Sequence, residues 1–239
     1  MLSSCDHEAT AGSTYFLSMR PGAVKDFDID GNSCCHGTGM ESPFKYGEEI
    51  YFLKEAEIYV NLFLSSKLEW REEGVSIRMQ ADERKPGEIT LDIQAPGHKG
   101  LKIRRPRWAD VGGDKQDGEE AQVFWLDGQP VTAPLKDGYY LIESDWTEKH
   151  SVKASFPCGL YYEKAPDADN CFVVCFGPYV LAAVTDSEEQ LRMHAGEAEE
   201  DFERDPCGLP AFRNKETGCI FMPVAKIWKE KYQVYFIGV

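Results

Sequence analysis

The stretch Asn32-Ser33-Cys34-Cys35-His36-Gly37-Thr38-Gly39-Met40-Glu41 concentrates two thiols, an imidazole and a carboxylate. Adjacent cysteines make a poor disulfide: their Cα atoms sit about 3.8 Å apart across a trans peptide, whereas bridges usually want roughly 4.4–6.8 Å. Two neighbouring thiols suit a soft metal better. Thiolates bind Zn²⁺ well and the ion keeps them deprotonated, so Cys34 and Cys35 would supply two ligands of a tetrahedral site that takes two more from elsewhere. The alternative is packing, since free cysteine is among the most buried residue types.

The elements around the pair must hold it. Thr38-Gly39-Met40-Glu41 has the form of a capping box, and Ser42-Pro43 offers a competing helix start. From either point the helix runs to about Glu49, with Met40, Phe44, Gly47 and Tyr51 on one face that needs a partner. The thiols then precede a helix N-terminus, whose partial positive charge favours thiolate.

After residue 49 the period changes to two. Residues 58–64 are apolar on both faces and read as buried, while Val75/Ile77/Met79 and Ile89/Leu91/Ile93 alternate with polar residues, as strands with one wet face should. Leu101/Ile103, Val123/Trp125, Tyr139/Leu141 and Val152/Ala154/Phe156 continue the pattern between Pro86-Gly87, Gly112-Gly113, Asp127-Gly128 and Asp137-Gly138 turns. Residues 172–184 read as two buried strands around Gly177-Pro178, with Cys171 and Cys175 as small core residues, and Cys219–Met222 and Tyr232–Phe236 as closing strands. Many short strands with glycine turns predict a mainly β protein of one or two antiparallel β-sandwiches.

Composition narrows the partners. The 239-residue chain can bury a sizeable core, and its net charge of −15 with pI near 4.8 disfavours nucleic acid and anionic membrane surfaces. Lys102 to Arg107 is the one basic run, and alternation puts its charges on the outer face of a strand. Eight cysteines with no C-x-x-C pair predict free thiols rather than a disulfide scaffold. No basic segment followed by an apolar core opens the sequence, so no signal peptide is expected. The apolar run 171–184 is broken by Gly177-Pro178 and too short to span a bilayer; the chain reads as soluble, its compartment unassigned.

Other candidates fare less well. The acidic segment 186–205 reads as a solvated loop or exposed helix, because calcium wants carboxylates at fixed alternating spacing around a glycine. His36 is a loop histidine or a contact beside the thiols; His7, His98, His150 and His194 carry no ligand spacing. Glu41 reads as a cap, and Glu48 and Glu49 as the solvated end of a helix. Trp70, Trp108, Trp125 and Trp146 would form a sugar-stacking platform or core packing. Lipase, nucleotide and dinucleotide fingerprints are absent.

Cys34-Cys35-His36-Gly37-Thr38-Gly39-Met40-Glu41, followed by Lys45-Tyr46-Gly47-Glu48 and Ile50-Tyr51-Phe52, resembles the cysteine-pair signature of β-L-arabinofuranosidase-like glycoside hydrolases, family 127 and its relative family 146. Tyr59-Val60-Asn61-Leu62-Phe63, Leu101 to Trp108, Phe176 to Ala182 and Tyr232 to Tyr235 match in order. The resemblance covers nearly the whole chain but only the later part of the family's pattern, which places an (α/α)₆ barrel first. It implies three regions: 1–52, the end of the helical-barrel region with the Cys-Cys motif; 53–157, a β-sandwich; and 158–239, a second β-rich region. Residues 1–30 would be extended loop within the barrel's last part, leaving only a short helical remnant. By the same resemblance Cys34 is the nucleophile of a retaining mechanism, Cys34 and Cys35 ligate zinc, and the substrate is an arabinose-containing glycan. The family's other two zinc ligands and its acid/base glutamate lie upstream of the pair, and Cys5 with Glu8 does not have the family's order. The chain alone is therefore expected to be weakly active or inactive, its barrel supplied by a partner chain or a longer parent, or else to self-associate as a homo-oligomer. A non-catalytic carbohydrate-binding or interaction sandwich is the alternative.

Overall fold

Most of the alternating apolar runs form strands. The structure is a computed structural model that describes residues 12–14, 17–28, 41, 44–109 and 120–239. Two compact units result: Pro43–Cys158, and Met1–Ser42 together with Gly159–Val239. In the latter, β1 (Ser13–Thr14) and β2 (Phe27–Asp28) pair antiparallel.

The 43–158 unit opens on a short helix. Glu41 and residues 44–48 are helical, and Glu49 N–H donates to the Tyr46 carbonyl at 3.1 Å as the helix ends. Tyr51 already lies in a strand, so the predicted helical face is interrupted, and Phe44 is 75% exposed. Ten strands follow: β3 (Tyr51–Lys54), β4 (Glu57–Val60), β5 (Ser66–Trp70), β6 (Val75–Ala81), β7 (Glu88–Gln94), β8 (Gly100–Arg104), β9 (Glu120–Leu126), β10 (Gln129–Lys136), β11 (Tyr139–Glu143) and β12 (His150–Ser155). Their order is β3-β4-β8-β11-β10-β9-β12-β7-β6-β5, antiparallel except for the β4·β8 pair. A register shift between Val131 and Ala133 interrupts the β10·β9 ladder, which resumes to Pro134, and β10 then pairs with β11 at Leu135 and Lys136. Such an irregularity bends a strand, and strands on both sides of β10 in the order contribute to one core.

That core holds Ile58, Ile77, Met79, Leu91, Ile93, Leu101, Phe124, Trp146 and Val152, all nearly inaccessible. Burial of such side chains contributes about 1.5–3 kcal/mol each. Phe124, Tyr140 and Phe156 meet within 5.3–6.1 Å between ring centroids. Phe124, Tyr140 and Ile142 face inward where Val123/Trp125 and Tyr139/Leu141 were expected to; both faces of β9 and β11 are apolar, so periodicity cannot choose between them. Residues 61–64 leave the strand, and Leu64 is exposed.

The turns follow their chemistry. Asp127-Gly128 and Asp137-Gly138 adopt positive φ at both positions, as two-residue hairpins require. A Cβ on Gly87 would lie 2.3 Å from the Phe156 carbonyl oxygen, so only glycine lets the β6–β7 turn approach so closely.

In the other unit, β13 (Leu160–Lys164), β14 (Cys171–Phe176), β15 (Tyr179–Val184), β16 (Arg192–Met193), β17 (Phe202–Arg204), β18 (Phe212–Asn214), β19 (Ile220–Pro223), β20 (Tyr232–Gln233) and β21 (Phe236–Gly238) form a second sheet. Tyr162, Phe172, Phe236, Phe221 and Phe202 meet successively at 4.9–6.1 Å. Ala182, Val224, Ile227, Tyr232 and Val234 form another cluster, with Leu17 and Ala23 packed on it. Tyr232 fixes that N-terminal segment: its N–H donates to Ala23 and its hydroxyl to the Ser18 carbonyl. The acidic segment is partly structural: in the short helix α1 (Ala198–Asp201), Glu199 accepts the Leu160 N–H at 2.7 Å and Asp201 accepts the Tyr162 hydroxyl at 2.5 Å. No helix among the described residues is long and apolar enough to cross a membrane.

Candidate functional site

Cys34 and Cys35 lie outside the described residues, as do His36, Thr38 and the Ser42-Pro43 helix start. An interlocked constellation of polar and aromatic side chains lies on the outer face of β4, β8 and β11. Parallel pairing puts Tyr59 opposite Lys102, and antiparallel pairing puts Arg104 opposite Tyr139. Ile58, Val60, Leu101 and Ile103 point into the core, so Glu57, Tyr59, Lys102, Arg104 and Tyr139 share the other side.

Their bonds interlock. Lys102 Nζ lies 2.8 Å from Glu57 Oε2 and donates to the Tyr59 hydroxyl oxygen at 3.0 Å, while that hydroxyl donates to Glu57 at 2.8 Å. The ammonium is 4.9 Å from the centre of the Tyr59 ring, and Tyr139 meets that ring edge-on at 5.2 Å. Asn61 Oδ1 accepts from both Arg104 and Tyr139 at 3.2 Å, and its amide donates to the Glu49 carbonyl. Lys102 does sit on the outer face, as alternation implies, yet it is only 5% exposed because these neighbours cover it.

The electrostatics define what this cluster does. The hydrogen bond from Lys102 holds the Glu57 carboxyl below the usual carboxylate range. Burial works against charge on Lys102, but Glu57 and Tyr59 outweigh it and raise its pKa. A glycosidase acid needs a raised carboxyl pKa. Glu57 therefore stays ionised and accepts hydrogen bonds; it is not a proton donor.

Elsewhere, His150 contacts Asp127 at 2.7 Å, His194 contacts Glu216 at 3.1 Å, and His98 Nδ1 lies 3.2 Å from the Pro96 carbonyl. Among the described residues no three His, Cys, Asp or Glu side chains are grouped to hold a metal. Burial pushes the Cys175 thiol up to about 11, as suits a core residue rather than a nucleophile. Cys171, Cys207 and Cys219 are free thiols too. Trp146 is core, with its indole N–H 3.3 Å from the Lys99 carbonyl, and Trp70 and Trp108 pack on that core, so these three form no exposed platform. The sequence marks Lys102 as part of an outer-face basic run and residues 58–64 as a buried strand, without linking the two. Their meeting depends on the parallel β4·β8 pairing, which no local signal announces.

Residues 57–158 match the family model described as Beta-L-arabinofuranosidase, GH127 middle domain. Among solved structures, the chain is similar to a GH127 β-arabinofuranosidase at 20% identity, covering 100% of this chain and 44% of that one with a TM-score of 0.67. It is also similar to a GH127 β-L-arabinofuranosidase from Geobacillus stearothermophilus T6, at 16% identity with the same coverage and a TM-score of 0.68. A third, titled only a glycoside hydrolase, is 16% identical, with 100% of this chain and 46% of that chain covered and a TM-score of 0.70. This chain thus spans less than half the length of the structures it matches. No curated protein matches by sequence.

Proposed function

We propose that this chain, whose residues 57–158 match the GH127 middle-domain model, is the later part of a retaining β-L-arabinofuranosidase-like hydrolase acting on arabinose-containing glycans. The observation that carries this reading is the middle-domain match, supported by the likeness of the whole chain to glycoside hydrolases. Cys34 is the nucleophile: its thiolate attacks the anomeric carbon, the glycosidic C–O bond breaks, and water later releases the sugar. Cys34 and Cys35 have the donor chemistry for zinc but fill only half a tetrahedral site, and the described residues add no further ligand group. The chemistry zinc would supply is to keep Cys34 deprotonated at neutral pH. The leaving oxygen needs a proton from a carboxylic acid, and Glu57, held ionised by Lys102, does not serve. The chain by itself is accordingly slow or inactive on unactivated glycans, with the acid and remaining ligands drawn from a barrel-bearing region or partner chain.

Zinc content per chain and arabinose release from a β-L-arabinofuranoside test this reading in the parent, Cys34→Ser and Cys35→Ser. Zinc is expected to fall in both variants, and any turnover to vanish in Cys34→Ser. Zinc bound by the parent and unchanged in both variants, or turnover present in the parent and unchanged in Cys34→Ser, overturns it.

A further inference from the structure

Lys54, Arg104 and Lys136 stand exposed on the same outer face as the Glu57–Lys102 pair. Register locates them: Lys54 is opposite Glu57, while Arg104 and Lys136 are opposite Tyr139 from its two sides. Neighbouring strands lie about 4.8 Å apart, so the Arg104 and Lys136 backbones flank Tyr139 at about 10 Å from each other. Lys136 is also near enough to Glu57 to help lower its pKa.

Charge on this face runs against the rest of the molecule. The chain carries −15 overall, yet here, among the described residues, Lys102 neutralises Glu57, and Lys54, Arg104 and Lys136 outnumber the carboxylates Glu120 and Glu143. Among the described residues Arg104 is engaged by the neutral Asn61 amide oxygen. Of the other carboxylates in these registers, Glu143 is opposite Gly100, four residues along β8 from Arg104 and thus about 13 Å away, and Glu120 is opposite Pro134, two residues along β10 from Lys136. Apolar ring surface accompanies the cations: Phe52, 43% exposed, is opposite Tyr59, and Tyr139 is half-buried.

We propose that this face binds an acidic oligosaccharide, its uronate carboxylate taken between Arg104 and Lys136 and a sugar ring laid on Tyr139. Guanidinium and ammonium groups match a carboxylate, and an aromatic ring matches the C–H face of a sugar. A row of cations along neighbouring strands suits an extended chain with one charge per ring. Nucleic acid, with its far denser charge, is disfavoured by the chain's net charge of −15. Binding here is independent of the cysteine chemistry, so Cys34→Ser leaves it intact.

The test is calorimetric titration of the full chain with trigalacturonate and with a neutral arabino-oligosaccharide, at about 20 and about 200 mM salt, between which the screening length falls about threefold. The acidic ligand is expected to bind more tightly than the neutral one and to weaken at the higher salt. The Arg104→Gln/Lys136→Gln double variant, altered at exposed positions, is expected to melt like the parent and to bind about tenfold more weakly, since an exposed charge contact is worth up to about fivefold. Preference for the neutral ligand, binding of neither, or undiminished affinity in the double variant would overturn the assignment.

Discussion

The sheet of residues 51–155 and the sheet of residues 160–238 reach burial by different routes. In the first, β6, β7 and β12 alternate buried and exposed residues and pair in continuous register, so the backbone satisfies itself and the apolar face does the rest. In the second, several strands have only two or three residues, and polar side chains complete what the ladders leave open. Gln233, 1% exposed, accepts the Leu191 N–H and donates to the Ser187 and Glu189 carbonyls. Asn214, equally buried, binds the Thr217 N–H and hydroxyl and donates to the Asp201 carbonyl. Regular alternation makes a sheet robust to single polar changes; short strands make it depend on a few amides.

The contrast is easiest to break at Trp146. Trp146→Ala removes the largest fully buried side chain of the first sheet and is expected to cost about 3–5 kcal/mol in denaturant unfolding. A cost near zero would mean that the sheet does not rely on its apolar core. Gln233→Leu keeps the volume but leaves three backbone groups of residues 187–191 without their partner, for an expected loss of about 1–3 kcal/mol. Hydrogen exchange should then accelerate locally at Leu191, and unchanged protection there would refute the tether.

A smaller effect is expected at Glu57, the polar exception within the first sheet. Breaking a fully buried pair costs about 3–5 kcal/mol, but Glu57 keeps a third of its side chain in water, so Glu57→Gln should cost about 1–2 kcal/mol. Adding Lys102→Met should recover part of that loss, because the uncompensated buried ammonium is gone.

The smallest effect is a pH dependence at the Asp127 turn. Asp127 raises the His150 pKa above the ordinary 6.5, so this contribution is complete below 6.5 and is lost as pH rises through the folded value. The Ser151 N–H, then His150, lowers the Asp127 pKa, so its share is present above 3.8 and is lost as pH falls through the folded value. The melting-temperature difference between parent and His150→Asn should therefore be greatest between 3.8 and 6.5 and shrink above it. A flat difference would remove the pair from the account.

Much of the first sheet was legible. Val75/Ile77/Met79 and Ile89/Leu91/Ile93 face the core as their spacing predicts, and the Asp-Gly turns close two hairpins. Phase was illegible where both faces are apolar, as at Phe124 and Tyr140. The acidic segment read as solvated because nothing local shows that Glu199 and Asp201 have partners on β13. Lys102 read as an outer charge; its cover of Glu57, Tyr59 and Tyr139 comes from strands far apart in sequence. Cys34 and Cys35 stand on sequence alone.

The most direct test of that nucleophile uses an activated aryl β-L-arabinofuranoside, whose leaving group departs without a proton and so bypasses the acid that Glu57 cannot provide. After incubation with the zinc-supplemented chain and rapid acid quench, peptide mass spectrometry should find one pentosyl group on Cys34 and none in Cys34→Ser. An unmodified Cys34, or a pentosyl group on any other residue, would contradict the account.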